Sequence, residues 1–310
     1  MKVVVLAGGV GGARLAFGFY RTVAPADLSI VVNTGDDFEH LGLHISPDLD
    51  TVTYTLAGLA NRENGWGVAG DSFEALAALG RLGAPSWFRL GDRDLATHLQ
   101  RTALLSQGLR LTEATARICD ALGVTAQVLP MTDDPLATKV VTNEGELDFQ
   151  DYFVRRRCEP VVREIRFAGV ETARPSAEVV AALEMADGIV IAPSNPFVSV
   201  EPILALPGLR EIVVSKPAVA VSPIVGGQAI KGPAAKMLGE LGLEVSPAGV
   251  AARYDGLIEG FVMDQQDEAL AAGVRGMGLD VVVTQTIMRS DDERAALARE
   301  CIELLRRAGA

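Results

Sequence analysis

Short, fully apolar runs alternate along this chain with segments whose apolar residues recur at helical spacing. Strands that are apolar throughout and alternate with helices are typical of a parallel sheet covered by helices on both faces. The pattern therefore predicts an α/β fold with a Rossmann-like, doubly wound and mostly parallel sheet. Strands are predicted at 3–7, 28–32, 188–192, 218–221, 259–263 and 280–283, and a final helix at 291–308.

The regular alternation is interrupted from about residue 60 to about residue 165. This stretch has helical patterns at 72–82, 97–107 and 112–122. A strand pattern follows at 124–129, and a hairpin turn at 143–145. No Pro-, Gly- or Ser-rich linker and no low-complexity tract separates it from the rest of the chain. We therefore expect a single domain, residues 1–310, with a mixed α/β insertion at about 60–165.

Four glycines, Gly8, Gly9, Gly11 and Gly12, lie between the first predicted strand and the helix that follows it. A helix N-terminus offers free N–H groups and a partial positive charge to a phosphate, and glycine lets the backbone approach a ligand closely. Arg14 stands where a dinucleotide fingerprint has its third glycine, and no Gly-Lys-Ser/Thr completes a P-loop. The loop predicts a phosphate or nucleotide site, with a plain tight turn as the alternative.

Acidic residues follow the second predicted strand. Asn33, Asp36 and Asp37 come directly after it, and Asp48 and Asp50 lie in a predicted first helical turn. Because the C-terminal ends of parallel strands meet at one crevice, we expect Asp36 and Asp37 near the glycine loop. Two separated carboxylates in one crevice could hold Mg²⁺. Turn formation and helix capping are the structural alternatives for all four carboxylates.

Polar residues at two other strand ends and within the insertion complete the set of candidate binding residues. A lysine at a helix start opposes the helix dipole and so indicates an anion. An arginine beside a tryptophan could recognise a diphosphate or lie against a flat aromatic ligand, although an Asp-Arg-Asp run is more often a surface ion pair. These candidates are Arg89, Asp92, Arg93, Ser194, Asn195, Ser222 and Lys231.

Composition and net charge limit the classes of molecule that this protein is expected to bind. The formal net charge is −12 and only 5% of residues are aromatic, which disfavours nucleic acid as a partner. An acidic protein can still bind a nucleotide through backbone N–H groups, a few arginines or a carboxylate-bound metal. The three cysteines and three histidines show no metal-binding spacing, and the cysteines indicate reduced thiols in the cytoplasm. We expect no signal peptide and no membrane span, because no apolar run reaches about 18 residues.

Six motifs lie in order along nearly the whole chain, at residues 8–14, 33–37, 46–51, 90–98, 192–196 and 222–224. Together they resemble the 2-phospho-L-lactate transferase family of coenzyme F-420 biosynthesis. The glycine motif at 8–14 resembles the bacterial branch, which transfers a phosphoenolpyruvyl or 2-phospholactyl group.

The resemblance implies a Mg²⁺-dependent transfer. The donor is a guanosine diphosphate-linked phospholactate or phosphoenolpyruvate, and the acceptor is the deazaflavin FO (7,8-didemethyl-8-hydroxy-5-deazariboflavin). The terminal ribityl hydroxyl of FO attacks phosphorus and GMP leaves, which forms F-420-0 or its dehydro form. Phosphoryl transfer of this kind needs positioning and charge neutralisation more than covalent catalysis. The family also implies a homodimer.

The resemblance assigns roles to individual residues. Asp36 and Asp50 would hold Mg²⁺, Asp50 and Arg89 would contact FO, and Asp37 would be the base for the ribityl hydroxyl. The donor's guanosine diphosphate would be held by residues 8–12, Ser194, Asn195 and the turn at 222–232.

Two other functions stay open from the residues alone. A related regulatory family of gluconeogenesis and cell-shape factors, which look like sugar-nucleotide sensors, shares the glycine loop and an Asp-Asp strand end. The motifs at 47–51 and 90–94 favour the transferase over that sensor. A nucleotide-dependent dehydrogenase is the third alternative, and Arg14 in place of the third glycine weakens it.

Overall fold

The computed structural model describes all 310 residues. Its strands are β1 (Val3–Ala7), β2 (Leu28–Val32), β3 (Phe38–His40), β4 (Leu43–Ile45), β5 (Gln127–Pro130), β6 (Ala137–Thr142), β7 (Gly145–Asp148), β8 (Val162–Ala168), β9 (Gly188–Ile191), β10 (Ala218–Val221), β11 (Ile224–Val225), β12 (Gln228–Ala229), β13 (Gly260–Asp264) and β14 (Asp280–Thr284). Its α-helices are α1 (Gly9–Tyr20), α2 (Pro47–Leu56), α3 (Glu74–Arg81), α4 (Asp92–Ser106), α5 (Leu111–Ala121), α6 (Ala177–Met185), α7 (Glu201–Leu204), α8 (Leu209–Val214), α9 (Ala234–Glu240), α10 (Pro247–Arg253), α11 (Ala271–Arg275) and α12 (Asp291–Arg307).

Seven parallel strands form the central sheet, in the order β14-β13-β10-β9-β1-β2-β5. β1 lies in the middle, paired with β2 on one side and with β9 on the other. The strand order therefore reverses direction at β1, and the ends of β1, β2 and β9 meet at the switch point where α/β sheets bind ligands. The predicted Rossmann-like α/β fold is confirmed.

Two hydrophobic cores, one on each face of the sheet, follow from the alternation of side chains along the strands. In β1, Val4 and Leu6 belong to one core, whereas Val3, Val5 and Ala7 belong to the other. Successive side chains of a strand point to opposite faces, so a strand buried on both faces must be apolar at every position. This is the physical reason for the fully apolar runs in the sequence.

The range of the predicted insertion contributes to the central sheet. β5 pairs in parallel with β2, from Ser29 opposite Gln127 to Val32 opposite Pro130, and so forms an edge of the sheet. The predicted hairpin is present as β6 and β7, and β8 joins it in an antiparallel sheet ordered β7-β6-β8. The division of the chain into one domain with an insertion stays a prediction.

Two segments differ from their predicted form in ways that affect the site. α4 begins at Asp92 rather than at residue 97, because the acidic residues Asp92 and Asp94 fill its first turn, where negative charge suits the dipole. The segment after β10 forms the small β11–β12 hairpin before α9 begins at Ala234, so Lys231 lies in a loop ahead of that helix. None of the helices has the length and apolar character that crossing a membrane requires.

Candidate functional site

A cavity of about 610 Å³ opens where the central strands end. All four predicted strand-end loops contribute to its wall, which agrees with their expected convergence. The predicted site residues that line it are Gly8, Gly9, Gly11, Asp36, Asp50, Arg89, Ser194, Asn195, Ser222 and Lys231. The predicted site residues outside the lining are Gly12, Asn33, Asp37, Asp92 and Arg93.

The glycine turn is shaped by contacts between protein segments. A Cβ at Gly11 would lie 2.3 Å from the carbonyl oxygen of Pro193, and one at Gly12 would lie 2.5 Å from Ser194 Oγ. Gly9 has a φ of +61°, a left-handed conformation that other residues rarely adopt. The sequence predicted that the glycines allow close approach of a ligand, but at Gly11 and Gly12 the close neighbour is the 193–194 loop.

Side chains already accept from two N–H groups of this turn. The N–H of Gly9 donates to Asp48 Oδ1 at 2.6 Å, and the N–H of Gly8 donates to Ser194 Oγ at 3.1 Å. The Ser194 hydroxyl in turn donates to the carbonyl of Gly8 at 2.9 Å. The first N–H groups of a helix have no intrahelical acceptor, and no side chain accepts from Val10 or Gly11. These two groups are the ones left for a ligand.

Three buried carboxylates, Asp36, Asp48 and Asp50, form what we call the acidic centre of the cavity. The amide nitrogen of Asn33 donates to Asp36 Oδ1 at 3.1 Å and to Asp48 Oδ2 at 3.0 Å, so one side chain joins the two carboxylates. Gln150 Nε2 donates to Asp36 Oδ2 at 3.1 Å. Asn33, although outside the cavity lining, therefore orients the residues that line it.

Burial and mutual repulsion disturb the protonation of this centre. Burial is the main cause that raises the pKa of Asp36 well above its usual range, and the negative charge of Asp48 raises it further. Burial also raises the pKa of Asp48 to about 6, against the opposing effect of hydrogen bonds from Asn33 and Gly9. Burial and mutual repulsion therefore both favour the protonated form of these two carboxylates.

Asp50 belongs to a second buried network. Arg101 on α4 donates to both Asp50 oxygens, from Nη1 to Oδ2 at 3.1 Å and from Nη2 to Oδ1. The Nη1 atom also contacts His98 Nδ1 at 3.2 Å. Because a guanidinium can only donate, we assign His98 as the neutral tautomer that carries its hydrogen on Nε2. That Nε2 lies 3.3 Å from Asp94 Oδ1, which accepts a hydrogen bond from the Tyr54 hydroxyl at 2.8 Å.

The sequence showed no metal-binding spacing at its histidines, but the fold brings one of them beside two carboxylates. Asp50, Asp94 and His98 each offer a ligand atom, and these atoms lie within 4.8 Å of one another. Arg101 already donates to Asp50 and approaches His98, so its positive charge occupies this position. The trio is therefore better described as an ion-pair network than as a metal centre.

Asp37 does not reach the cavity, which counts against its predicted role as the base. Its Oδ2 accepts from the Ser46 hydroxyl at 2.6 Å and contacts His44 Nε2 at 3.1 Å. These contacts hold the carboxylate towards β4 and the start of α2, away from the cavity wall. Asp36, its neighbour in the sequence, lines the cavity instead.

Asp92 and Arg93 also lie outside the cavity, because their polar groups stabilise helix starts and a loop. Asp92 accepts from the N–H groups of Glu74 and Ala75, at 3.0 and 2.9 Å. Arg93 Nη2 donates to the carbonyls of Ala69 and Gly70, at 2.7 and 2.6 Å. The ion pair expected within the Asp-Arg-Asp run is absent, since Arg93 pairs with Asp71 at 3.6 Å instead, and the predicted substrate contact of Asp92 and Arg93 stays a prediction.

Arg89 lines the cavity, with different aromatic neighbours from those expected. Its guanidinium lies 4.5 Å from the ring centre of Phe73 and 5.9 Å from that of Trp66. Trp87, the expected neighbour, packs instead against Phe38, with ring centres 6.0 Å apart. The cavity therefore has an aromatic wall beside an arginine, as the sequence suggested, but Trp66 from the 61–67 loop is part of it.

The remaining predicted binding residues have protein partners. Asn195 Oδ1 accepts from the N–H of Phe197 at 2.9 Å, and the Ser222 hydroxyl donates to the carbonyl of Ile224 at 2.9 Å. Lys231 Nζ donates to the carbonyl of Asn64 at 2.9 Å. Asn195 and Ser222 therefore shape their loops, whereas Lys231 joins two loops at the cavity wall.

Sequence reasoning missed several residues that line or support the cavity. Asp94, His98 and Arg101 stand at spacings of four and three on α4, so a polar stripe at helical spacing was the signal for this group. Asp48 was identified from the sequence as a carboxylate of a first helical turn, but no binding role was assigned to it. Gln150 sits in the segment after β7, and no sequence signal links it to Asp36.

Comparisons with known proteins agree with the motifs. The family model described as 2-phospho-L-lactate transferase CofD matches residues 3–299. The chain is 41% identical to a phosphoenolpyruvate transferase of Streptomyces griseus, over 98% of each chain. It is 38% identical to a 2-phospho-L-lactate transferase of Methanosarcina mazei, over 97% of this chain and 99% of that one. A Bacillus halodurans protein of the UPF0052 family shares the fold, with a TM-score of 0.63, 14% identity and coverage of 97% and 98%.

Proposed function

The chain belongs to the 2-phospho-L-lactate transferase CofD family, and from that premise we propose how it works. It transfers a phospholactyl or phosphoenolpyruvyl group in coenzyme F-420 biosynthesis. Relatives named phosphoenolpyruvate transferase and 2-phospho-L-lactate transferase match at similar identity. The proposal therefore names the donor only by its class, a guanosine diphosphate-linked three-carbon acid. The acceptor is the deazaflavin FO. We also propose that the enzyme acts as a cytoplasmic homodimer.

The observation that carries the proposal is the composition of the cavity wall. Three buried carboxylates lie in the same cavity as the end of the glycine turn and an arginine-bearing aromatic wall. A diphosphate suits the helix start, a flat deazaflavin suits the aromatic wall, and the reacting phosphorus would lie between them. We propose that Asp50 and Arg89 contact FO and that the 8–12, 193–195 and 222–232 segments hold the guanosine diphosphate.

In the proposed reaction, the terminal ribityl oxygen of FO forms a bond to the phosphorus that carries the three-carbon acid. The bond from that phosphorus to the bridging oxygen breaks, and GMP leaves with the electron pair. The ribityl proton passes to a carboxylate. Because Asp37 faces away from the cavity and Asp48 lines it, Asp48 is the better placed acceptor.

The acidic centre fits a Mg²⁺ ion. Its donors are carboxylate oxygens, which Mg²⁺ prefers. Burial is the main cause of the raised pKa of Asp36, and the negative charges of Asp48 and Asp37 add to it, so a bound cation would oppose that rise. We propose that Asp36 and Asp50 hold the ion, with Asp48 beside them. Pairing with Arg101 does not remove Asp50 from this role, because each carboxylate oxygen has two lone pairs. The bound ion would neutralise charge on the diphosphate.

The test is a transfer assay with purified protein, FO and each synthetic donor, analysed by mass spectrometry. We expect F-420-0 or its dehydro form together with GMP, and no product after exhaustive chelation. Release of GDP in place of GMP, or full turnover without a divalent ion, would contradict the mechanism. Titration of FO fluorescence is the control, because a sugar-nucleotide sensor would not bind FO tightly.

A further inference from the structure

Arg14 is an unpartnered cation in the wall of the cavity. Three cationic side chains line the cavity, namely Arg14, Arg89 and Lys231. Arg89 lies over aromatic rings and Lys231 donates to backbone carbonyls. The Arg14 side chain makes no hydrogen bond, ion pair or cation–π contact with another residue, whereas its backbone belongs to α1. Its guanidinium is therefore free to bind a group that enters the cavity.

The geometry places Arg14 on the wall where Lys231 lies. Val10 and Arg14 are four residues apart on α1, so they share one face of the helix. A Cβ at Gly65 would lie 2.9 Å from Val10 Cγ1 and 3.4 Å from Lys231 Nζ, so the ammonium group reaches the top of that face. Arg14 stands one turn further along the helix. The two cations thus border one region of the cavity.

Positive charge is in excess around Arg14. Asp291 pairs with Arg62 at 3.0 Å and with Arg294 at 3.2 Å, so one carboxylate serves two guanidinium groups. Arg14 lies close enough to lower the pKa of Arg294, an effect smaller than that of burial. Burial also lowers the pKa of Arg14. A partly buried charge without a partner costs free energy that a bound anion would offset, here in a protein whose net charge is −12.

We propose that Arg14, assisted by Lys231, is an anion-binding subsite for acidic oxygens of the guanosine diphosphate-linked donor, separate from the acidic centre. The inference rests on the proposed function. A guanidinium fork suits both groups of the donor that carry such oxygens, the diphosphate and the carboxylate of the three-carbon acid. Arg14 therefore contributes to donor binding, whereas the acidic centre acts on the reacting phosphorus.

The experiment compares Arg14→Gln and Arg14→Lys with the control Arg62→Gln. Arg62 is a nearby exposed arginine that pairs with Asp291 and lies outside the cavity lining, so its replacement removes the same charge without removing a side chain from the cavity wall. GDP and the intact donor are each titrated by calorimetry, and melting temperatures verify that each variant is folded. We expect Arg14→Gln to weaken binding by about tenfold to a hundredfold, the loss of one charged hydrogen-bonding group, and Arg14→Lys to weaken it less. Arg62→Gln should change affinity by about twofold or less.

The two probes distinguish the two sources of the anion. Weaker binding of both GDP and donor assigns Arg14 to the diphosphate, and weaker binding of the donor alone assigns it to the carboxylate. Unchanged binding of both probes by Arg14→Gln, or an equal loss in Arg62→Gln, would overturn the proposal. A wild-type protein that binds GDP but forms no F-420-0 product would refute the proposed function and leave the Arg14 result intact.

Discussion

Two acidic regions of this molecule look alike in the sequence and behave differently in the structure. One is the acidic centre, and the other is the pair Asp71 and Asp92 at the starts of α4 and α3. Asp71 accepts from the N–H groups of Arg93 and Asp94, at 2.9 and 3.0 Å, while Asp92 caps α3. The two caps are reciprocal: Asp71, which lies just before α3, caps α4, and Asp92, the first residue of α4, caps α3. These carboxylates have a structural explanation that needs no ligand.

The pKa directions separate the two regions. Hydrogen bonds from Ser72 and from backbone N–H groups lower the pKa of Asp92, because they stabilise its charged form. Burial and neighbouring carboxylates raise the pKa values of Asp36 and Asp48. A carboxylate whose partners satisfy its charge supports the fold. Buried carboxylates that raise one another's pKa indicate a place where a cation or a proton is expected.

The largest expected effect is that of Asp50→Asn, which tests whether the acidic centre is functional. Without this charge Mg²⁺ loses a ligand, and we expect transfer to fall by at least about 10²-fold. Stability should fall as well, by about 3–5 kcal/mol, because Arg101 is left as an unpaired buried charge. Turnover and denaturant unfolding are the two measurements.

A matched double variant separates these two losses. Asp50→Asn combined with Arg101→Met removes both charges of the buried pair, so we expect it to recover much of the stability of the single variant and none of its activity. Near-normal turnover of Asp50→Asn would reduce Asp50 to a structural residue. From the sequence alone, Asp50 in a first helical turn predicted a stability loss of about 1 kcal/mol or less, and the pairing with Arg101 changes that expectation.

The second expected effect is a pH dependence of stability that arises from the acidic centre. The pKa of Asp48 is about 6 in the folded state, against 3.8 for an ordinary aspartate, so the folded state binds this proton more tightly than the unfolded state. Stability from this group is therefore present below about pH 4 and is lost as the pH rises through 6, by about 3 kcal/mol. The raised pKa of Asp36 acts in the same direction.

The measurement compares wild type with Asp48→Asn by denaturant unfolding between pH 4.5 and 7.5, in chelator. The difference between the two curves isolates this group from the other carboxylates. We expect wild type to lose stability relative to Asp48→Asn as the pH rises, and added Mg²⁺ to recover part of the loss at pH 7.5. Parallel curves would mean that Asp48 titrates normally.

The fold was largely predictable because its signals are local. Every strand of the central sheet was predicted, since a strand buried on both faces must be apolar throughout. The convergence of four loops on one cavity followed from the parallel arrangement of the strands. The direction of individual side chains did not follow, because Asp36 and Asp37 are adjacent and only one of them lines the cavity.

What sequence reasoning could not supply depends on contacts between distant segments. Arg101 lies 51 residues from Asp50, and Gln150 lies 114 residues from Asp36. The Asp-Arg-Asp run at 92–94 was not included in the helix predicted from residue 97, because its partners, Asp71 and the start of α3, could not be placed beside it. When a carboxylate near one helix caps another helix, the two partners have no fixed spacing in the sequence, so no local pattern reveals the cap.

The smallest expected effect tests the structural side of the comparison. Asp92→Ala removes the carboxylate that caps α3, so we expect the melting temperature to fall by about 2–4 °C. Transfer should be unaffected, because Asp92 lies outside the cavity lining.

Arg89→Ala is the matched control from the same segment. Arg89 lines the cavity, so its replacement should weaken FO binding in a fluorescence titration more than it weakens donor binding. The opposite result would be an unchanged melting temperature together with a loss of FO binding as large as that of Arg89→Ala. Asp92 would then belong with the functional carboxylates, and helix capping would not account for the carboxylate at this position.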